Sequence, residues 1–192
     1  MTIADAQYRF IAVDIGAYGR TNDYRVFKTS AMGRRIYAGE MGLPEPRAFP
    51  GTDGPPMPFV FIGDKAFQMC ANLLKPYSSR GLDHRQRIYN YRLSHARRYV
   101  ECAFGILTAK WRIFTRPMQL SPEFADEVVK ASVVLHNFLL TKEPLNTDPE
   151  EVETTLPGLQ QLPRRSTLAV MRIGDDYFLM EAGRVPWQDW MV

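Results

Sequence analysis

Two acidic side chains occupy positions from which they could bind a ligand together. Asp64 follows residues 59–63, a continuously apolar run closed by glycine, and such a run is typical of a strand buried on both faces. Ligands bind at the carboxyl ends of strands in open α/β sheets, because strand ends and helix N-termini converge there. Glu101 lies beside the apolar stripe of a predicted long helix, so its carboxylate could reach toward the sheet.

Each of these carboxylates also has a plain structural interpretation. Asp64 could be a turn residue at the strand end that caps the next helix. Glu101 could form an ion pair within its helix with Arg97 or Arg98, which lie one turn earlier. A pair with an arginine is compatible with ligand binding, so both interpretations of Glu101 stay open.

Positive charge is concentrated in residues 75–116, which hold ten Lys and Arg residues and two acids in a chain whose net charge is only +3. A concentrated positive face suits a polyphosphate partner, since each phosphate that is neutralised releases counterions. Arg92, Arg97 and Arg98 lie in this segment. Their guanidinium groups could grip phosphate or simply keep a helix face soluble, and the sequence leaves both open.

Composition indicates a single folded domain and excludes several classes of protein. The 192 residues are 45% hydrophobic and 23% charged, near the globular average. No apolar run reaches the roughly 18 residues of a membrane span, and the N-terminus lacks a basic region followed by an apolar stretch. Cys70 and Cys102 are too few for a disulfide framework, so we expect core cysteines. His136, on an apolar helix, is expected to be a hydrogen-bonded core histidine.

Two strands and two helices are predicted in the first half of the chain. Alternation over residues 8–15 predicts a strand that ends at Gly16. Asn22 or Asp23 is placed to cap a helix over residues 24–38 that stops near Gly39. Six prolines and three glycines make residues 42–58 a loop. The apolar strand follows, and then a short helix over residues 66–74.

The strongest helical pattern covers residues 83–114, where apolar residues recur at spacings of three and four. These residues are Leu93, Ala96, Val100, Ala103, Phe104, Leu107, Trp111 and Phe114. Ser121 and Pro122 open a second helix that runs to about Leu140. An acidic, proline-bearing linker is expected over residues 141–167, and then a tail, 168–192, that could form a short helix.

An ordered set of motifs resembles the nuclease domain of Harbinger-type transposases and of the nucleases derived from them. The motifs are FIAVDIGAYG at 10–19, NDYRVFKTS at 22–30, FIGDKAF at 61–67, LKPY at 74–77, YNYRLSHAR at 89–97, VECAFG at 100–105, WRIF at 111–114 and VLHN at 134–137. DYF at 176–178 and GRVPWQ at 183–188 extend the resemblance over nearly the whole chain. Any one motif is weak, but the ordered set is hard to obtain by chance.

This resemblance implies an RNase H-like α/β fold, with helices packed on a mixed sheet, whose active site is two aspartates and one glutamate. In the family these acids hold divalent metal, Mg²⁺ or Mn²⁺, for cleavage of DNA phosphodiester bonds. By motif, Asp64 matches the second aspartate and Glu101 the final glutamate, which makes both expected catalytic and metal-binding residues.

The family's first aspartate belongs to an Ile-Asp-Gly-Thr-like motif that lies upstream of the segment matching residues 5–10. The resemblance therefore implies a partial fold over residues 1–140 that lacks its first strand and most of its second. Asp5 and Asp14 match positions that are not expected to be catalytic. We expect either a truncated product or a fold that a partner chain completes.

Two functions follow from the resemblance. The first is a metal-dependent DNA nuclease, impaired because one catalytic aspartate is absent. The second is an inactive transposase remnant that binds DNA or protein, with the basic helix and its arginines Arg92, Arg97 and Arg98 as the binding surface. The expected partners are DNA and a separate DNA-binding subunit, and the expected location is the nucleus, with the cytoplasm as the alternative.

Overall fold

A computed structural model describes residues 1–16, 23–48, 53–145, 147 and 149–155. Its elements in chain order are β1 (Thr2–Ala4), β2 (Phe10–Val13), α1 (Asp23–Thr29), α2 (Ala31–Ala38), β3 (Phe61–Ile62), β4 (Leu73–Leu74), α3 (His84–Lys110), a 3-10 helix (Arg112–Thr115), α4 (Pro122–Lys142) and α5 (Pro149–Thr155). The expected tail, 168–192, lies outside the described residues. None of the described helices combines the length and the apolar character needed to span a membrane.

Two small sheets pack against the long helix α3. Strands β1 and β2 pair antiparallel, with Ile3 opposite Ala12, whereas β3 and β4 pair parallel, with Phe61 opposite Leu73. Both β1 and β3 contact α3. The structure therefore confirms the predicted α/β class at the level of helices packed on small sheets.

Helix α3 forms where its sequence pattern predicts, but it ends at Lys110, and Arg112–Thr115 form a separate 3-10 helix. The Asp83 side chain caps the N-terminus by accepting a hydrogen bond from the Gln86 N–H, and the Gln86 side chain accepts one from the Asp83 N–H, which completes a capping box. The apolar stripe is buried in one cluster with Ala4 of β1 and Ile62 of β3. Because a packed stripe of this kind fixes the rotation of the helix, it also fixes which way Glu101 and its neighbours face.

Helix α4 also forms where it is predicted, with Ser121 as its cap and Pro122 in its first turn. Two of its side chains bind the main chain around β2. The Asn137 amide accepts a hydrogen bond from the Phe10 N–H and donates one to the Phe10 carbonyl, each at 2.8 Å. His136 is buried, with its Nε2 atom 2.8 Å from the Tyr8 carbonyl oxygen, which confirms the prediction of a core histidine.

The single helix predicted over residues 24–38 is wrong, because the chain breaks at Ser30 into α1 and α2. The Ser30 hydroxyl donates to the Phe27 carbonyl and accepts from the Gly33 N–H, so it ends one helix and caps the next. A Cβ atom on Gly33 would lie 1.8 Å from the Phe27 carbonyl oxygen. Glycine at this position is therefore what allows the two helices to approach so closely.

The helix predicted over residues 66–74 is also wrong. The Phe61 N–H donates to the Asn72 carbonyl, and the Gly63 N–H donates to the Leu74 carbonyl, so this segment ends as a strand paired with β3. Leu73 is fully buried in the process. Burial of an apolar side chain against β3 has outweighed local helical preference.

A short helix lies within the stretch for which a linker is expected. Helix α5 is anchored to α3 by Pro149 and Val152, both buried. The thiol of the fully buried Cys102 lies 3.6 Å from the Pro149 carbonyl oxygen. Cys102 is thus a core cysteine, as predicted, and Cys70 is a partly buried free thiol.

Candidate active site

Asp64 is the second residue beyond the end of β3. Gly63 separates it from the strand, and a Cβ atom on Gly63 would lie 3.1 Å from the Phe67 ring and 3.2 Å from Leu73. The Asp64 carbonyl accepts a hydrogen bond from the Phe67 N–H, which closes a tight turn. The turn holds the Asp64 carboxylate at the end of the strand, with 19% of its side chain exposed.

Glu101 lies on α3 between two buried residues, Val100 and Cys102. Its side chain is 41% exposed, because it stands at the border of the buried stripe and not within it. The helix therefore presents this carboxylate at the edge of the interface between α3 and the sheets.

Arg97 joins the two carboxylates. Its Nη2 atom lies 3.9 Å from Asp64 Oδ2 and 3.6 Å from Glu101 Oε1. The separation of these two oxygens cannot exceed the sum of the two distances. Two acids that are distant in the sequence are thus brought close to one cationic group.

The charge at this point is only partly compensated. One guanidinium faces two carboxylates, and its two contacts are longer than the 2.7–3.2 Å typical of hydrogen bonds. The Arg97 Nε atom is buried without a hydrogen-bond partner. The arrangement is therefore an electrostatic cluster of net negative charge and not a closed hydrogen-bonded network.

The other two arginines expected to bind nucleic acid are placed differently. Arg98 Nη1 lies 2.9 Å from Glu150 Oε1 on α5, and His95 Nε2 lies 3.8 Å from the same oxygen. Arg92 is partly buried on α3. The structure brings Arg97 to the two predicted carboxylates, whereas Arg98 is directed toward α5.

Glu150 was missed by sequence reasoning. It belongs to a proline-initiated acidic stretch that composition alone assigns to a linker. The pattern that could have revealed α5 is the apolar Val152 three residues after Pro149, which together form a small buried face.

Asp5 has a different environment from Asp64 and Glu101. Its carboxylate accepts hydrogen bonds from the backbone of Gln7 and Arg9, and it pairs with the Arg9 guanidinium at 2.8 Å. It is 5% exposed. Every one of these contacts lies within the turn between β1 and β2, so Asp5 stabilises that turn.

The donor set at Asp64 and Glu101 fits a hard divalent cation. Carboxylate oxygens are the ligands that Mg²⁺ prefers, and one or two protein carboxylates with water or phosphate commonly suffice. Within the described residues, no group of three or more His, Cys, Asp and Glu is arranged to hold a metal ion. The site thus offers two protein ligands, and solvent or phosphate would supply the rest.

The chain is similar in sequence to known proteins. The model of a family described as DDE superfamily endonuclease matches residues 1–137. The chain is also similar to Protein ALP1-like from Arabidopsis thaliana, with 25% identity over 149 residues, which cover 77% of this chain and 36% of that protein. The chain therefore spans about a third of the length of this relative. No solved structure matches the chain.

Proposed function

The chain belongs to the DDE superfamily endonuclease family, and from this membership we propose that it is a transposase-derived nuclease domain that acts on DNA phosphodiester bonds. In this proposal Asp64 and Glu101 are the metal ligands. The metal is Mg²⁺ or Mn²⁺, and the architecture is RNase H-like.

One observation carries the proposal. Asp64 and Glu101 come from different elements, one at a strand end and one at a helix edge, yet both lie within 4 Å of a single nitrogen of Arg97. Packing of α3 on β3 brings two negative charges together at a partly exposed position, which is unfavourable unless a cation compensates them. A divalent ion, when bound there, supplies activation of a water or a DNA 3′ hydroxyl and stabilises the leaving oxygen.

The residues of the chain would hold the metal ion and position the DNA. Asp64 is fixed by the turn at the end of β3, and Glu101 is fixed by the buried stripe of α3. The basic residues of α3, including Arg92, Arg97 and Arg98, provide positive charge for the phosphates of a DNA strand. Contacts to phosphate position a protein on DNA without reading its sequence, so a separate DNA-binding subunit is proposed to supply target choice.

The number of carboxylates available to hold a metal favours a second function. Family chemistry expects three carboxylates, and the described residues hold no group of three metal-binding side chains. We therefore propose as the alternative an inactive module that binds DNA or protein through α3. Both functions are compatible with the proposed nuclear location.

Nicking of supercoiled plasmid in Mn²⁺ or Mg²⁺ tests the nuclease. The full chain is compared with Asp64→Asn and Glu101→Gln, and with Glu127→Gln, whose carboxylate pairs with Lys130 on the surface of α4. Loss of a metal ligand should lower the rate by about 100-fold or more, whereas Glu127→Gln should leave it unchanged. Equal rates in all four proteins would remove the assignment of Asp64 and Glu101. Absence of nicking by the unaltered chain, with DNA binding retained, would favour the binding module.

A further inference from the structure

Arg97 lies next to both of the carboxylates that would hold a bound cation. A single atom, Nη2, faces both Asp64 Oδ2 at 3.9 Å and Glu101 Oε1 at 3.6 Å. A Mg²⁺ ion lies about 2.0–2.1 Å from each oxygen ligand, so an ion that touched both oxygens would fall close to this nitrogen. Two positive charges repel strongly at such a separation in a partly buried site.

Arg97 is weakly held in this position. Neither contact is short enough to be a hydrogen bond, and its buried Nε atom has no partner. The adjacent Arg98, by contrast, makes a 2.9 Å bond with Glu150. A buried donor without an acceptor is unfavourable. Movement of the Arg97 guanidinium would therefore break no hydrogen bond of Nε, and it would free the unsatisfied Nε–H group from its buried position.

We infer that Arg97 is an internal counter-ion of the site, which neutralises Asp64 and Glu101 when metal is absent and leaves them when a divalent ion binds. This inference rests on the proposed function, because it takes the two carboxylates as the metal ligands. The displaced guanidinium is planar and carries five donors, a shape suited to bidentate binding of phosphate. Arg97 thereby links metal binding to binding of the DNA backbone, and it is a positioning residue in both states.

Arg97 should therefore lower the affinity of the two carboxylates for metal. Without its charge, Asp64 and Glu101 repel each other with no compensating cation, and a divalent ion enters without competition. Removal of the charge at position 97 should therefore tighten metal binding, although it removes a residue beside the site. An arginine that merely supports the local structure would give the opposite result.

The test is Mn²⁺ binding to the full chain, measured by the electron paramagnetic resonance signal of free Mn²⁺ at low ionic strength. Arg97→Gln and Arg97→Met both remove the charge, and the second keeps an apolar side chain of similar reach in case the first does not fold. Arg98→Gln is the matched control, since it removes the same charge one residue away. A double variant, Asp64→Asn with Glu101→Gln, defines the site.

We expect the neutral variants at position 97 to bind Mn²⁺ about tenfold more tightly than the unaltered chain, and Arg98→Gln to bind within about twofold of it. The double variant should lose the site. If the double variant loses the site but the neutral variants bind no more tightly, this inference fails and the proposed function stands. Equal tightening by Arg98→Gln would also overturn it, since the effect would then be one of net charge. Absence of binding in every protein would overturn both.

Discussion

Arg98 and Glu150 join α3 to α5 through a contact of 2.9 Å between Nη1 and Oε1. His95 lies 3.8 Å from the same carboxylate oxygen. An acidic group on α5 therefore pairs with an arginine that, in the proposed function, would bind a DNA phosphate. Because the Glu150 side chain is 62% exposed, solvent screens the pair and its strength is modest.

Glu150→Gln should tighten DNA binding by about two- to threefold, since Arg98 is then available to phosphate and the competing charge is gone. The slope of log affinity against log salt should become steeper by up to about one unit for the added phosphate contact on duplex DNA. Fluorescence anisotropy with a labelled duplex at several salt concentrations measures both. Glu143→Gln, which removes an exposed charge at the end of α4, is the control, and the prediction fails if the two variants bind alike.

Metal and DNA should bind cooperatively, and Arg97 should carry the coupling. Arg97 faces Asp64 and Glu101, and by the inference above it becomes available to phosphate only when a divalent ion binds. Addition of Ca²⁺, a divalent ion that also takes oxygen ligands, should raise DNA affinity by about fivefold or more.

Arg97→Gln should bind DNA with an affinity that does not respond to Ca²⁺, whereas Arg98→Gln should keep the response. Anisotropy titrations with and without Ca²⁺ provide the measurement, and the double variant of Asp64 and Glu101 separates site binding from bridging of surface charges. A Ca²⁺ response of equal size in Arg97→Gln would show that the coupling does not pass through this residue.

The elements that carry the site were largely predictable because local patterns specify them. The stripe on α3 and its Asp83 cap are encoded within one segment, as is the apolar run of β3 that ends before Asp64. Spacing also predicts an ion pair of Glu101 with an arginine one turn earlier, and the structure has it with Arg97.

Local sequence patterns could not predict the contact of Arg97 with Asp64. It depends on how α3 packs against β3, which involves residues more than thirty positions apart. The same reason explains the error at residues 66–74, where pairing with β3 turned a predicted helix into β4. Helix α5 was not predicted because, among its described side chains, Pro149 and Val152 are the buried ones, too few residues for a periodic pattern.

Asn137 should contribute to the stability of the fold and not to the proposed cleavage of DNA. Its side chain accepts from the Phe10 N–H and donates to the Phe10 carbonyl, as a neighbouring strand would. Asn137→Ala leaves both main-chain groups without these partners and should destabilise the fold by about 1–3 kcal/mol. Urea unfolding followed by circular dichroism measures the change. Thr141→Ala, one turn later at an exposed position, should have a much smaller effect, and similar losses in the two variants would contradict the assignment.

His136 should make stability depend on pH. Burial lowers its pKa from the ordinary value of 6.5, and the hydrogen bond with the Tyr8 carbonyl and the nearby Asp5 charge oppose that effect only in part. A lowered pKa in the folded state means that the unfolded chain binds the proton more tightly. The contribution of His136 is therefore fully present above pH 6.5 and is lost as the pH falls below this value toward the folded-state pKa, with a slope of at most about 1.4 kcal/mol per pH unit for a single proton.

Unfolding free energies of the unaltered chain and of His136→Gln, measured between pH 5 and 8, test this dependence. The two curves should run parallel above pH 7 and converge as the pH falls, because histidine at position 136 acquires a proton on unfolding and glutamine does not. His84→Gln, which changes an exposed histidine at the start of α3, should leave the shape of the curve intact. Curves for the unaltered chain and His136→Gln that stay parallel down to pH 5 would show that the buried imidazole does not govern acid stability.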